Sequence, residues 1–151
     1  MSCVSMAIEF KDFKIKEHRD LLRRIDGLQA HRNNPKLLQS ESHALLGNIL
    51  ERMLSHYSIN DEKLRELLAI KEHLTFSEKI SARFEELKSS DPNLGAKLRA
   101  FRSSILSVVD HVNSKYHYKH DHPLGEVRHI FTAGFLSISK ELSKIIPEKK
   151  D

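Results

Sequence analysis

The sequence is poor in the residues that mark several protein classes. Its 151 residues include one cysteine, five glycines, four prolines and no tryptophan, and 7% are aromatic. A single cysteine excludes an internal disulfide framework and fits a reducing compartment. No apolar run approaches the roughly 20 residues of a membrane-spanning helix, and the first residues lack the basic and apolar regions of a cleavable signal peptide. We therefore expect a cytoplasmic protein without a membrane span, with export that needs no cleavable signal as the alternative.

The sequence also lacks the common catalytic and nucleotide-binding motifs. Its glycines form neither the phosphate-binding Gly-x-x-x-x-Gly-Lys-Ser/Thr loop nor the dinucleotide-binding Gly-x-Gly-x-x-Gly loop. No Gly-x-Ser-x-Gly nucleophile elbow is present, and Cys3 lies at the end of the chain, where order is usually poor. We assign no catalytic residue, and the sequence favours a non-catalytic protein over an enzyme.

Charge of one sign is not concentrated enough to indicate a nucleic-acid binder. The net charge of +4 divides into +3 for residues 1–36, −3 for residues 37–87 and +4 for residues 88–151. A nucleic-acid-binding protein usually carries a denser basic stripe. We expect nucleic acid to bind weakly and without sequence preference. The residues that would contact phosphates in that case are Lys97, Arg99 and Arg102, together with Lys16, Arg19, Arg23 and Arg24 near the start.

Helical periodicity is the strongest signal that the sequence contains. Apolar residues recur at steps of three and four, as expected for amphipathic helices that bury one face. One stripe consists of Leu94, Leu98, Phe101, Ile105, Val108, Val109, Val112 and Tyr116. Another consists of Leu124, Val127, Phe131, Phe135, Ile138, Leu142 and Ile145. Proline suits the first turn of a helix, so the predicted helix starts are Asn34-Pro35, Asp91-Pro92 and His122-Pro123, and Ile146-Pro147 is a predicted end.

These segments predict an all-α, single-domain, antiparallel helical bundle over residues 1–151, with four main helices and an N-terminal helix or arm. In the N-terminal part, residues 1–15 are expected to form an extended arm or the start of a helix, and residues 17–30 a helix. Apolar and polar residues alternate in Phe13-Lys-Ile-Lys, at the end of the arm. The second main helix begins after a cap at Ile59-Asn60-Asp61 and is expected to break or kink at Thr75-Phe-Ser-Glu78. Residues 147–151 form a charged tail.

Histidines are concentrated in one region, where five of the ten lie between residues 111 and 129. His122, Glu126 and His129 fall at i, i+4 and i+7 on one face of the helix after Pro123, and His117 and His120 precede them. Glu-x-x-His is the spacing of di-iron bundles, but these need a second such pair, which this sequence lacks. We therefore expect exposed histidines in a polar loop and no cofactor. A divalent metal held by these residues is the alternative.

A shorter histidine motif lies within the predicted helix over residues 35–57. The segment Ser42-His43-Ala-Leu-Leu46-Gly47 resembles histidine phosphotransfer domains over five residues. The resemblance implies an exposed His43 with a small residue, Gly47, four positions later. Those domains carry lysine three positions after the histidine, where this sequence has Leu46. Because His43 also lies at the margin of the apolar face, we favour a boundary histidine without a phosphotransfer role.

The apolar arc over residues 35–57 is wider than a two-residue seam requires. Such an arc can serve both the core and a partner, including a second copy of the chain. The sequence therefore predicts a non-catalytic helical protein-binding module that acts as an adaptor, regulator or effector. Its predicted partner is another protein, which the sequence does not identify. A metal-binding helical protein and a weak nucleic-acid binder are the alternatives.

Overall fold

The structure, a computed structural model, describes residues 10–69, 76–116 and 122–146. Within these ranges the chain is helical and contains no β-strand, which confirms the predicted all-α class. Short 3-10 helices lie at Ile15–Glu17 and Leu28–His31. The α-helices are α1 (Arg19–Gly27), α2 (Pro35–His56), α3 (Glu62–Ala69), α4 (Phe76–Leu87), α5 (Leu94–Lys115) and α6 (Pro123–Ile145).

Three helices begin at capping residues that the sequence predicts. Asn34 Oδ1 accepts a hydrogen bond of 3.2 Å from the amide three residues later, at the start of α2. Asp61 Oδ2 accepts one of 3.0 Å in the same way at α3. The Nδ1 atom of His122 accepts one of 3.1 Å from the amide two residues later, at α6. These bonds satisfy amides of the first turn, which have no partner within the helix.

The predicted start of α5 is two residues early. Asp91 Oδ1 accepts a hydrogen bond of 2.9 Å from the amide of Asn93, and the carbonyl of Asp91 accepts one of 3.1 Å from the amide of Leu94. These bonds form a turn that precedes α5, so Asp91 caps the turn and the helix begins at Leu94. The ammonium group of Lys97, 2.9 Å from the Asp91 carboxylate, lowers the pKa of that carboxyl group.

The N-terminal region is less regular than its predicted helix. Residues 10–14 have no regular secondary structure, and the chain then forms a 3-10 turn at Ile15–Glu17. The helix predicted over residues 17–30 is limited to α1, which ends at Gly27, and continues as a second 3-10 turn. Residues 1–9, Thr75 at the start of the predicted break, and the tail at 147–151 lie outside the described residues, whereas Phe76, Ser77 and Glu78 of that break form the first turn of α4.

The core is built around α6, which packs against α5, α2 and α4. All eight residues of the predicted α5 stripe are buried, and so are six of the seven in the α6 stripe, with Ile145 half-buried. Phe84 and Phe101 meet edge to face with ring centroids 5.7 Å apart, and Phe131 stacks on Phe135 at 6.0 Å. Their predicted core positions are confirmed, whereas the side chain of Phe76 is outside the described residues.

Side-chain contacts also give the relative directions of three helices. α5 runs antiparallel to α6, because residues further along α5 contact residues nearer the start of α6. α4 instead runs in the same direction as α6. The hydrogen-bonded pairs that show this are Arg102–Ser139 and Asn113–Thr132 for α5 and α6, and Ser77–Ser137 and Ser81–Glu141 for α4 and α6.

α2 uses its wide apolar arc within the chain. The arc residues Leu45, Leu46, Ile49, Leu50, Met53, Leu54 and Tyr57 are all buried. A Cβ atom added at Gly47 would lie 2.7 Å from the carbonyl oxygen of Leu68 in α3, and one at Gly134 in α6 would lie 2.5 Å from Leu46 Cδ1. The width that suggested a second, partner-binding face therefore serves contacts with neighbouring helices. A glycine fits at position 47 because the backbone of α3 approaches α2 closely there.

Candidate binding cleft

The chain segment before α1 is held on the helices by Tyr57. Phe13 and Ile15 are buried, and the amide of Phe13 donates a hydrogen bond of 3.1 Å to the Tyr57 hydroxyl. That hydroxyl also lies 2.6 Å from Ser104 Oγ and 3.2 Å from the carbonyl oxygen of Ala100 in α5. One buried phenol thus joins the N-terminal segment to α2 and α5.

A group of aromatic rings and one ion pair reinforce this attachment. Phe13 stacks on His18 with ring centroids 4.4 Å apart and meets His56 edge to face at 5.6 Å. His56 Nε2 donates a hydrogen bond of 2.7 Å to the carbonyl of Lys11. Arg52 forms an ion pair with Asp20 and also approaches His18 Nδ1 at 3.2 Å. Burial, followed by the nearby Arg52 charge, lowers the pKa of His18.

Between this segment and α5 lies a cleft of about 630 Å³, which we call the N-terminal cleft. Phe13 and Ile15 alternate with the exposed Lys14 and Lys16, so the lysines lie on the open side of the segment. The α5 wall consists of residues at i, i+3, i+4 and i+7, which share one helix face. The residues that line the cleft are Lys14, Ile15, Lys16, Ser107, Asp110, His111 and Ser114. The volume falls within the range of ligand-binding pockets.

His111 carries an unsatisfied nitrogen in this wall. Its Nε2 atom is buried and has no hydrogen-bond partner among the described residues. Burial is the main cause that lowers the pKa of His111, and the positive charges of Lys115 and Lys16 add to it, while Asp26 opposes it. The imidazole is therefore neutral at neutral pH. Leaving a buried polar atom without a partner costs about 1–3 kcal/mol.

The C-terminal end of α5 is fastened to α1 beside the same histidine. Lys115 forms an ion pair with Asp26, and the hydroxyl of Tyr116 donates a hydrogen bond of 2.5 Å to the carbonyl of Ile25. The Lys115 charge is therefore compensated within the chain. The cleft lysines, Lys14 and Lys16, form no ion pair with the described residues.

The chemistry of the cleft is that of a binding surface rich in hydrogen-bond donors. The lining residues carry two ammonium groups, two serine hydroxyls and a neutral imidazole. They include one carboxylate, that of Asp110. Ser107, Asp110 and His111 are the residue types of a hydrolytic relay, in which hydrogen bonds must link nucleophile, base and acid. In the described part of the chain, His111 forms no hydrogen bond with either of the other two. The geometry provides recognition groups without an assembled relay.

A second groove, between α3 and α4, has a balanced charge. It encloses about 450 Å³ and is lined by Lys63, Glu66, Leu67, Lys79, Ala82, Arg83 and Glu86. Arg83 binds both carboxylate oxygens of Asp61, at 2.6 and 2.8 Å, and also pairs with Glu86 at 2.7 Å. The guanidinium lowers the pKa of Asp61. Lys63 and Lys79 form no ion pair with the described residues, but Asp61, Glu66 and Glu86 equal the three basic side chains in number, so this groove lacks the excess positive charge of the N-terminal cleft.

The described histidines among those proposed as metal ligands are not grouped with two further ligands. The side chain of His122 caps α6 through its Nδ1 atom, while Glu126 and His129 are exposed on the outer surface of that helix. His117 and His120 lie outside the described residues. Within the described ranges, no three histidine, cysteine or carboxylate side chains form a group that could hold a metal ion.

The residues proposed to contact phosphates are partly engaged by the chain itself. Lys97 pairs with Asp91, and Arg102 donates a hydrogen bond of 3.3 Å to the carbonyl of Ser139 in α6. Arg99 is exposed. Of Lys97, Arg99 and Arg102, only Arg99 is therefore left to provide a basic surface on α5.

Sequence reasoning noticed two residues of the N-terminal cleft, Lys16 and His111, but gave neither its place there. Two signals could have found the cleft. The alternation around Ile15 predicts lysines on the side opposite the core, and the α5 sequence carries polar residues at helical spacing outside its apolar stripe. What the sequence does not contain is the pairing of these two surfaces, which depends on the contacts of Tyr57.

Comparisons with protein-family models, curated proteins and solved structures find no match. None of the helices in the described ranges combines the length and apolar character needed to cross a membrane.

Proposed function

We propose that this chain is a non-catalytic helical protein-binding module, an adaptor, regulator or effector, that engages its partner in the N-terminal cleft. The observation that carries the proposal is the cleft itself, with two uncompensated lysines and the unpartnered nitrogen of His111. Binding sites commonly combine an apolar base with a few polar groups that fix the orientation of the ligand. Here Ile15 provides the apolar base, and the surrounding side chains provide the polar groups.

The wide arc of α2 does not support this proposal, because its apolar residues are buried within the chain. In the described ranges the exposed large apolar side chains are Leu37, at the start of α2, and Leu136, in the middle of α6. Single exposed apolar residues are common on protein surfaces and need no partner. The cleft is therefore the feature on which we place the interaction, including any self-association.

The test is partner capture by three forms of the chain. Ser107→Trp fills the cleft, and Ser103→Trp is its control, because Ser103 is exposed on the same helix but does not line the cleft. Each form is incubated with extract, treated with an amine-reactive cross-linker, and its cross-linked peptides are identified by mass spectrometry. We expect partner cross-links at Lys14 or Lys16 in the wild type and the control, and their loss in Ser107→Trp.

Partners that bind all three forms equally, or that cross-link only to lysines outside the cleft, would contradict the proposal. Circular dichroism of each variant separates loss of binding from loss of fold. Size-exclusion chromatography with light scattering shows whether the captured partner is a second copy of the chain.

We also propose that α2, α4, α5 and α6 are the main helices of a single bundle, and that the chain works without a resident metal. Elemental analysis of untagged protein is expected to find less than about 0.2 metal ions per chain. Stoichiometric zinc, nickel or iron that disappears in a His122→Ala/His129→Ala variant would show that the histidine-rich region is a metal site.

A further inference from the structure

We infer that the N-terminal cleft binds an acidic peptide segment, whose carboxylates pair with Lys14 and Lys16. This inference rests on the proposed function and specifies the chemistry of the partner. It follows from the charge balance of the cleft, from its shape and from the absence of groups that would favour a nucleic acid.

The charge balance is the first argument. Lys14 and Lys16 are exposed and form no ion pair with the described residues, and Asp110 is the acidic side chain of the cleft wall. Complementary charge raises the association rate and determines which partners bind.

The form of the cleft is the second argument. The backbone of Lys14 is extended, Lys16 lies in the 3-10 turn that follows, and both lysines line the cleft next to the buried Ile15. An extended peptide also alternates its side chains, which point to opposite faces at successive residues. A segment with acids at alternate positions can thus place carboxylates near both ammonium groups. Small apolar side chains between the acids contact the stems of the lysines.

The described lining residues argue against a nucleic acid as occupant. They include no arginine, whose planar guanidinium binds phosphate with two hydrogen bonds, and no aromatic ring on which a base could stack. Asp110 would repel a continuous phosphate backbone. A peptide can place a serine or an amide opposite Asp110 and keep its carboxylates near the lysines.

The first experiment uses three fluorescein-labelled eight-residue peptides in which alanine alternates with glutamate, glutamine or lysine, and measures fluorescence anisotropy at low salt. Lys14→Glu/Lys16→Glu is compared with Lys36→Glu/Lys140→Glu, a control with the same charge change at exposed lysines outside the cleft. We expect the glutamate peptide to bind the wild type best. Its Kd should rise at least about tenfold in the cleft variant and less than about twofold in the control.

A second measurement locates the peptide. The ring signals of His111, assigned in NMR spectra by their absence from His111→Gln, are expected to move when the glutamate peptide is added. A carboxylate close to the ring favours the imidazolium form, so the pKa of His111 should rise towards its ordinary value on binding. Signals of His129, which is exposed on α6, should stay in place.

The inference is overturned if the glutamine peptide binds as well as the glutamate peptide, if the control loses as much affinity as the cleft variant, or if the His111 signals do not move. It is also overturned if a single-stranded oligonucleotide binds more tightly than the glutamate peptide and displaces it. Each of these results leaves the partner capture of the proposed function unchanged. Conversely, failure of Ser107→Trp to release captured partners removes the proposed function itself.

Discussion

The α5–α6 pair and the N-terminal segment, residues 10–31, are held in the same fold by different means. α5 and α6 have 22 and 23 residues and meet along two long apolar stripes. The N-terminal segment has short helical pieces that bury Phe13, Ile15, Leu21, Ile25 and Leu28 in the core. It is also attached by hydrogen bonds of the Tyr57 and Tyr116 hydroxyls and the ring of His56. The first arrangement buries one continuous face of each long helix, whereas the second combines short stretches of buried surface with a few specific hydrogen bonds.

This difference determines how each region responds to a substitution. Helical pairs gain most of their stability from burial along the whole stripe, so removing a surface group changes little and removing a core ring changes much. A segment of short helical pieces, whose attachment depends in part on individual hydrogen bonds, can come loose locally while the rest of the fold stays intact. Four predictions, from the largest effect to the smallest, test this comparison.

The largest effect is expected in the α5–α6 core. Phe101→Ala or Phe131→Ala should lower the free energy of unfolding by about 3–5 kcal/mol, because each removes a fully buried ring and leaves a cavity. Urea unfolding monitored by circular dichroism measures this loss. A loss below about 1 kcal/mol would mean that the ring is not packed in the core.

Tyr57→Phe should have an intermediate effect that is concentrated in the N-terminal segment. The substitution removes a hydroxyl with several partners and leaves the amide of Phe13 unsatisfied, at a cost of about 1–3 kcal/mol. Hydrogen exchange should accelerate at residues 10–17 while α6 stays protected. Tyr116→Phe is the matched control, since it loses the hydrogen bond to the carbonyl of Ile25 in α1. Equal acceleration in the two variants would contradict the role of Tyr57 as the main attachment.

A smaller effect distinguishes two arginines on α5. Arg102→Gln should lower the free energy of unfolding by about 0.5–1.5 kcal/mol, because the half-buried side chain loses its bond to the Ser139 carbonyl. Arg99→Gln, at an exposed site, should change it by less than about 0.5 kcal/mol. Indistinguishable unfolding curves for the two variants would mean that the Arg102 side chain contributes no more to stability than an exposed side chain does.

The smallest effect is the pH dependence of the N-terminal attachment. Folding lowers the pKa values of His18 and His111 below the ordinary 6.5, chiefly because burial disfavours the imidazolium form. The unfolded chain therefore binds more protons below about pH 6.5, and the free energy of unfolding should fall as the pH decreases through that region. A His18→Gln/His111→Gln variant should show a flatter dependence in thermal unfolding than the control His129→Gln. Parallel pH profiles for the two variants would show that His18 and His111 do not cause the pH dependence of stability.

The same contrast explains which parts of the structure could be predicted from sequence. The periodicity of α5 and α6 extends over six turns, and every predicted core residue from Leu94 to Tyr116 is buried. Helix starts were predictable where a capping side chain and proline coincide, as at Asn34 and His122. α5 starts two residues later than predicted, because the Asp91 carboxylate accepts a hydrogen bond from the amide two residues later and forms a separate turn there.

The N-terminal cleft could not be predicted in the same way. Alternation around Ile15 indicates which side chains face inward, but it does not say which helix they face. That choice depends on the hydroxyl of Tyr57, more than 40 residues away in sequence. The unpartnered Nε2 of His111 is likewise a property of the packed structure, since sequence shows a histidine but not the burial of one of its atoms.

The two glycine contacts of α2 have a consequence for the motions of the molecule. With Gly47 against the Leu68 carbonyl and Gly134 against Leu46, α2 has no clearance towards α3 or α6 at these points. Sliding of packed helices needs space for side chains to pass one another, and a helix fixed at two close contacts does not have it. Shear along α2 is therefore blocked, and conformational change on binding is confined to the periphery. The N-terminal segment, which can detach without disturbing either glycine, is where such a change would take place.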